Sequence, residues 1–163
     1  MMLIEMPFHP LIVHFPIGFL VLSGIMYLLS IFVRKDYLMK AGLLALVLGA
    51  LAAGAAVITG DMAEDLAKPR GVAHEMVEDH ELFGLICAWA FGILAVWGIF
   101  RQKRFIQVEK IAFVVLLLAC VSMLLATGHL GGKMVFEQGV GAVQDSAKES
   151  ASANAGVDEV DED

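Results

Sequence analysis

The sequence predicts an all-α protein: an up-and-down bundle of four transmembrane helices followed by a disordered acidic C-terminal tail. Hydrophobic residues make up 59% of the 163 positions and the mean hydropathy is +0.78, values too apolar for an ordinary soluble domain. Four apolar runs approach the roughly 20 residues that a helix needs to cross a hydrocarbon core of about 30 Å. They cover residues 11–33, 41–60, 82–100 and 111–128, and no charged residue interrupts them.

The chain divides into a membrane domain, residues 1–141, and a polar tail, residues 142–163. The last 19 residues contain seven acidic residues and one lysine, so they supply −6 of the net charge of −7. No apolar period runs through them, which is typical of a disordered segment. The overall charge therefore says little about partners, and no basic, aromatic-rich stretch indicates nucleic-acid binding.

Lysine and arginine placement predicts the orientation in the membrane. Seven of the 11 basic residues fall in the two short loops, at residues 34–40 and 101–110, and four lie on the opposite side. Positively charged short loops favour the cytoplasm. Both termini then lie outside, so the expected location is a bacterial inner membrane with periplasmic or extracellular ends.

All five histidines lie at the outer end of the predicted helices. His9 and His14 open the first run, His74 and His80 precede the third, and His129 closes the fourth. Intramembrane imidazoles indicate function because hydrocarbon penalises them. The sequence therefore predicts a site at the outer face.

The two predicted hairpins resemble each other weakly. His14 and His80 each open an H-x-x-x-G segment, and the distance from His to the closing Gly60 or Gly128 is 46 or 48 residues. A parallel repeat of this kind would make the two histidines symmetry mates that face one axis. Pro10 and Pro16 predict that the first helix either starts at Pro10 and kinks or starts near Pro16, because proline is tolerated in a first turn.

Small residues lie one turn deeper than three of the histidines. Gly18 follows His14 by four, Gly84 follows His80 by four, and Ala126 precedes His129 by three, and residues so spaced share a helix face. Close helix packing explains such stripes, with imidazoles bonded across the bundle. A flat b-type haem with axial histidines explains them too, since the ring plane needs small neighbours.

A zinc or copper site is the third alternative. Histidines together with the acid-rich loop between the second and third runs form a reasonable ligand set, but no H-x-x-x-H or H-x-x-E-H spacing occurs. Cys87 and Cys120 fall inside apolar runs and form no C-x-x-C motif, so both are expected to be small buried hydrophobes. No phosphate-binding loop or hydrolytic triad is evident.

Several of these segments also resemble a known family. They are HPLIVHFPI at residues 9–17, the H-x-x-x-G at His80, GHLGG at residues 128–132 and MVFEQGVG at residues 134–141. The pattern resembles the bacterial membrane-protein domain-of-unknown-function family 2231 from residue 9 to about residue 141. The resemblance implies a four-helix integral membrane protein and does not decide between cofactor and scaffold.

The sequence-based hypothesis is therefore a membrane protein that binds one b-type haem near its outer face, for electron transfer or redox sensing with a redox partner or membrane complex. His14 and His80 would be axial ligands, and His129 a reserve ligand or a propionate partner beside Arg70 and Lys133. Such a protein would be an electron-transfer or binding protein rather than a stand-alone enzyme. A non-enzymatic membrane scaffold with hydrogen-bonded histidines and a metal-binding protein remain the alternatives.

Overall fold

The computed structural model describes residues 8–33, 35–67 and 74–138. These residues form five α-helices and one 3-10 turn, and no strand occurs among them. The helices are α1 (Phe8–Ile12), α2 (His14–Phe32), α3 (Asp36–Ala67), α4 (His74–Arg101) and α5 (Gln107–Gln138), with the 3-10 turn at Gln102–Arg104. The predicted all-α class is confirmed. Arg70 and the predicted tail lie outside the described residues.

Helices α2 to α5 are each long and apolar enough to cross a membrane. The candidate spans are His14–Phe32, Asp36–Gly60, Glu78–Arg104 and Gln107–Lys133, between 19 and 27 residues long. At 1.5 Å per residue they measure about 28 to 40 Å, enough for a hydrocarbon core of about 30 Å. Their exposed surface is rich in Leu, Ile, Val and Phe, as a lipid-facing surface requires. The four predicted membrane helices are therefore present.

The first helix is broken by Pro16. Proline has no N–H, so the Ile12 carbonyl loses its usual partner four residues on. The chain keeps a helical bond on each side of the break, from Val13 N to the His9 carbonyl (3.0 Å) and from Ile17 N to the Val13 carbonyl (3.4 Å). The result is the separate short helix α1, which packs on α2 and α3 and carries His9.

Helices α2 to α5 form a closed ring in which each helix packs against its neighbours along the chain, and α5 returns to α2. At the end with the short loops, Tyr27 and Phe113 are fully buried with their ring centroids 4.9 Å apart. Trp97 and Phe105 pack against Phe113 at 5.3 and 5.2 Å. This aromatic group fills the centre of the bundle at the end with the two short basic loops, which we call the basic end.

Polar contacts tie the basic end together around the turn between α4 and α5. Arg101 forms a two-point ion pair with Glu109 (2.9 and 2.8 Å), and Trp97 donates Nε1–H to the same carboxylate (3.2 Å). Lys110 donates to the Ser30 carbonyl at 2.6 Å, in the last turn of α2, where helix carbonyls lack internal partners.

Small residues on one face of α3 let α2 approach closely. The stripe repeats every three or four residues and consists of Gly42, Ala45, Gly49, Ala53, Ala56 and Gly60. A Cβ built on Gly49 would lie 2.6 Å from Leu20 Cγ and 3.2 Å from the Leu20 backbone nitrogen. Helix backbones in membranes approach this closely only where side chains are small.

We predict that Gly49→Ala destabilises the bundle, because its methyl group must displace both the side chain and the backbone of α2. Overpacking of this kind costs about 1–3 kcal/mol. Thermal unfolding of the detergent-solubilised protein measures it. Gly54→Ala on the same helix is the control, since a Cβ there meets nothing within 4 Å. Equal unfolding temperatures for the two variants would contradict the close approach.

Candidate functional site

The structure brings two of the five histidines together at the end of the bundle opposite the basic loops. His9 on α1 and His80 on α4 are partly buried, and their ring centroids lie 6.5 Å apart with perpendicular planes (89°). His14 and His129 are exposed. The side chain of His74 lies outside the described residues. The site is therefore built around His9 and His80, which we call the imidazole pair.

A hydrogen bond across to α3 orients His9. Its Nδ1 lies 3.2 Å from Thr59 Oγ1. The Thr59 hydroxyl proton is directed back at the α3 backbone, with the carbonyls of Ala55 and Ala56 at 3.0 and 3.1 Å. The threonine oxygen is thus the acceptor and His9 Nδ1 carries the proton. Burial, helped by the nearby His80, lowers the pKa of His9 below its ordinary value, so the ring stays neutral and its Nε2 keeps a lone pair.

His80 is oriented in the same way from the opposite hairpin. Its Nδ1 lies 3.1 Å from the Thr127 carbonyl oxygen on α5. A carbonyl can only accept, so His80 Nδ1 must donate, and in the neutral ring the Nε2 is again the nitrogen with the lone pair. Thr127 is held by its own bond to the Met123 carbonyl (3.0 Å), and Cys87 Sγ lies 3.9 Å from its hydroxyl.

Each ring of the imidazole pair also lies against a glycine of the helix that accepts its hydrogen bond. A Cβ on Gly60 would be 3.1 Å from His9 Cε1, and a Cβ on Gly131 would be 3.0 Å from His80 Cε1. Both distances are shorter than ordinary van der Waals contact. The glycines therefore permit the rings to lie where they do.

In both hairpins an imidazole is bonded to a threonine, through the hydroxyl of Thr59 in one and through the backbone carbonyl of Thr127 in the other. Each imidazole lies at the end of the bundle opposite the basic loops, and its threonine is 50 residues further along the chain for His9 and 47 for His80. The predicted repeat matched His14 with His80. The ring that contacts His80 is that of His9, which was not among the ligands of the haem hypothesis.

Two of the small residues predicted to neighbour the haem ligands, Gly18 and Gly84, face open space. A Cβ on Gly18 or Gly84 would meet nothing within 4 Å, so neither glycine is required by packing against the rest of the bundle. Lys133 is exposed. His129 lines a groove between α4 and α5 together with Ala126 and Thr127.

Within the part of the chain that the structure describes, no three His, Cys, Asp or Glu side chains are grouped as a metal site. Cys87 is buried, Cys120 is partly buried, and both are free thiols. The described residues therefore offer the imidazole pair, rather than a larger ligand cluster, as the feature with the clearest chemistry.

Comparison with known families agrees with this architecture. The sequence matches the family described as "Predicted membrane protein (DUF2231)" over residues 5–144. The chain belongs to this family. It is a multi-pass membrane protein, as its four apolar helices indicate, and the resemblance inferred from the histidine and glycine motifs is confirmed at the level of the family. No curated protein and no solved structure matches the chain.

We predict that Gly131→Ala displaces the His80 ring and weakens its bond to the Thr127 carbonyl, because the new methyl group would lie 3.0 Å from Cε1. Side-chain ¹⁵N NMR of histidine-labelled protein should show a changed Nδ1–H signal for His80. Gly132→Ala is the matched control, since a Cβ at that neighbouring position meets nothing within 4 Å. An unchanged His80 signal in Gly131→Ala would contradict the contact.

Proposed function

We propose that this protein binds a b-type haem through His9 and His80 and carries electrons at the outer face of the bacterial inner membrane. The observation that supports this is the imidazole pair: two neutral rings whose Nδ1–H groups are already bonded and whose Nε2 lone pairs are left to bind a metal. Metal-binding histidines almost always donate their second ring N–H to a protein acceptor. Thr59 and Thr127 supply those acceptors.

The two rings lie at a distance that one metal bound by both of them could span. A metal–nitrogen bond of about 2 Å places an imidazole centroid roughly 3 Å from the metal, so opposed ligands have centroids roughly 6 Å apart. The observed separation is 6.5 Å. Two ligands of a tetrahedral ion would lie closer together. The distance therefore argues against a tetrahedral zinc ion, whereas two-coordinate copper(I), which binds two imidazoles in a line, fits it as well as haem iron does.

The neighbouring residues suit such a group in two ways. A Cβ at Gly84, one turn along α4 from His80, would meet nothing within 4 Å, so the helix leaves open space near that ring. Exposed Lys133, with Arg70, remains a proposed partner of the propionates. Bound haem would supply a one-electron couple, while the protein's own residues hold the two imidazoles in one tautomer and orientation.

The runner-up function is a membrane scaffold in which the histidines only join helices. One observation favours it: His9 and His80 each already bond across to another helix. Such bonds average about 0.6 kcal/mol and reach about 2 kcal/mol in membrane proteins, so they would add modestly to a bundle held mainly by packing. This alternative needs no cofactor.

Haem binding is tested by the visible spectrum of protein purified from haem-replete cells. We predict a sharp reduced α-band and roughly one extractable porphyrin per chain, both abolished by His9→Ala and by His80→Ala, with the protein still in the membrane. His14→Ala should keep the band. Loss in His14→Ala with retention in His9→Ala would make His14 the partner of His80. A colourless wild-type protein would favour the scaffold.

The proposed orientation places the basic loops in the cytoplasm and the imidazole pair outside. In a background that lacks Cys87 and Cys120, we predict that a cysteine replacing Ala67 reacts with an impermeant thiol reagent in intact spheroplasts. A cysteine replacing Lys103 should react only after the inner membrane is permeabilised. The reverse pattern would invert the topology and put the site on the cytoplasmic side.

A further inference from the structure

Several basic side chains at the basic end of the bundle have no partner among the residues that the structure describes. Two others there are committed to the protein: Arg101 is paired with Glu109, and Lys110 donates to the Ser30 carbonyl. The remaining side chains are exposed and form no hydrogen bond or ion pair with a described residue. They are Lys35, Lys40, Lys103 and Arg104, which we call the exposed cations. This set is therefore available to an anion from outside the chain.

The surroundings of the exposed cations do not neutralise them. The described residues of the two loops, 35–40 and 101–110, include six basic and two acidic residues, so this end carries a net charge of +4. One of the two acids, Glu109, is already held by Arg101, and the other is Asp36. Like charges gathered at one end of a molecule repel one another, and a bound anion relieves that repulsion.

Large apolar side chains are exposed beside the same two loops. Each of the following is at least 64% exposed: Phe32, Tyr37, Phe100, Ile106 and Val108. A free phosphate ion or an acidic soluble protein would match the charges but leave this apolar surface in water. A phospholipid carries acyl chains and a phosphate in one molecule, and the chain is a multi-pass membrane protein. Exposed Tyr37, between two lysines, is typical of the headgroup level of a membrane.

We propose that the basic end binds anionic phospholipids, whose phosphates lie on the exposed cations and whose acyl chains cover the adjacent apolar side chains. Basic residues next to membrane helices attract anionic lipids by about fivefold for each residue near the surface. The Arg104 guanidinium can donate two parallel N–H bonds to one phosphate, whereas the lysines act as point charges on flexible stems. This binding needs neither haem nor a particular orientation in the membrane.

The experiment is native mass spectrometry of the full-length protein in detergent, titrated with phosphatidylglycerol or with phosphatidylcholine of identical acyl chains. We expect phosphatidylglycerol to bind roughly tenfold more tightly or better, and the difference to shrink as salt is added. Lys103→Gln should weaken phosphatidylglycerol by about fivefold, and Lys103→Gln with Arg104→Gln by roughly ten- to thirtyfold. Neither change should alter the affinity for phosphatidylcholine.

Two further variants separate local charge from net charge and from folding. Lys133→Gln is the matched control for Lys103→Gln, since Lys133 is an exposed lysine at the opposite end of the bundle, and it should bind like the wild type. Lys103→Arg combined with Arg104→Lys keeps both charges and should also bind like the wild type.

Equal affinity for the two lipids would overturn the proposal, and so would an equal loss of phosphatidylglycerol in Lys133→Gln and Lys103→Gln. Displacement of the bound lipid by inorganic phosphate, but not by chloride of the same ionic strength, would identify a site for free anions and would overturn it too. The visible spectrum of the same samples reports haem independently, so failure of one proposal leaves the other standing.

Discussion

The close approach of α2 to α3 is the constraint on which the rest of the bundle depends. At Gly49 the two helices come so near that even a methyl group would overlap Leu20. The small-residue stripe that permits this contact continues along α3 to Gly60, where the neighbour is no longer a helix side chain but the ring of His9. Helix packing and the placement of the imidazole are thus consequences of one stripe.

The break at Pro16 is what allows His9 to reach that stripe. A straight continuation of α2 would carry residues 8–12 along its own axis, whereas the separate helix α1 packs on α3 as well as α2. His80 needs no such device, because α4 begins before it, at His74. The two hairpins therefore place an imidazole against a threonine by different local structures, with the hydroxyl of Thr59 as acceptor in one and the backbone carbonyl of Thr127 in the other. At the opposite end, the ion pair of Arg101 with Glu109 and the aromatic group around Phe113 hold the helices together. The same helices continue to the end that carries the imidazole pair.

The fold could be predicted from the sequence because hydrocarbon tolerates few alternatives: uninterrupted apolar runs of spanning length must become helices. The sequence could also predict that the histidines share one end of the bundle, since chain direction alternates from one span to the next, and His9 and His80 do meet at one end. The partner of His80 could not be predicted. Spacing along the chain matched His14 with His80, but contacts depend on helix phase, and His14 in the first turn of α2 is exposed. Likewise Gly18 and Gly84 share a face with histidines yet contact nothing, while Gly60 and Gly131 touch the rings. The recurring Thr59–Gly60 and Thr127–Gly128 pairs contain the two threonines that bond the rings, but the glycine against His80 is Gly131, outside the second pair.

Packing alone does not explain why the two bonded residues are histidines. A bond from one helix to a threonine hydroxyl or a backbone carbonyl of another needs a single donor, which serine, threonine or asparagine provides at smaller volume. Imidazole brings a second nitrogen, and in this tautomer its lone pair can accept a hydrogen bond or bind a metal. No buried side-chain nitrogen or oxygen among the described residues lacks a hydrogen-bond partner, so this lone pair is not a burial cost that a metal must relieve. What the second nitrogen adds is a ligand atom on each of two neighbouring rings, and that is the physical reason for proposing a cofactor-binding pair.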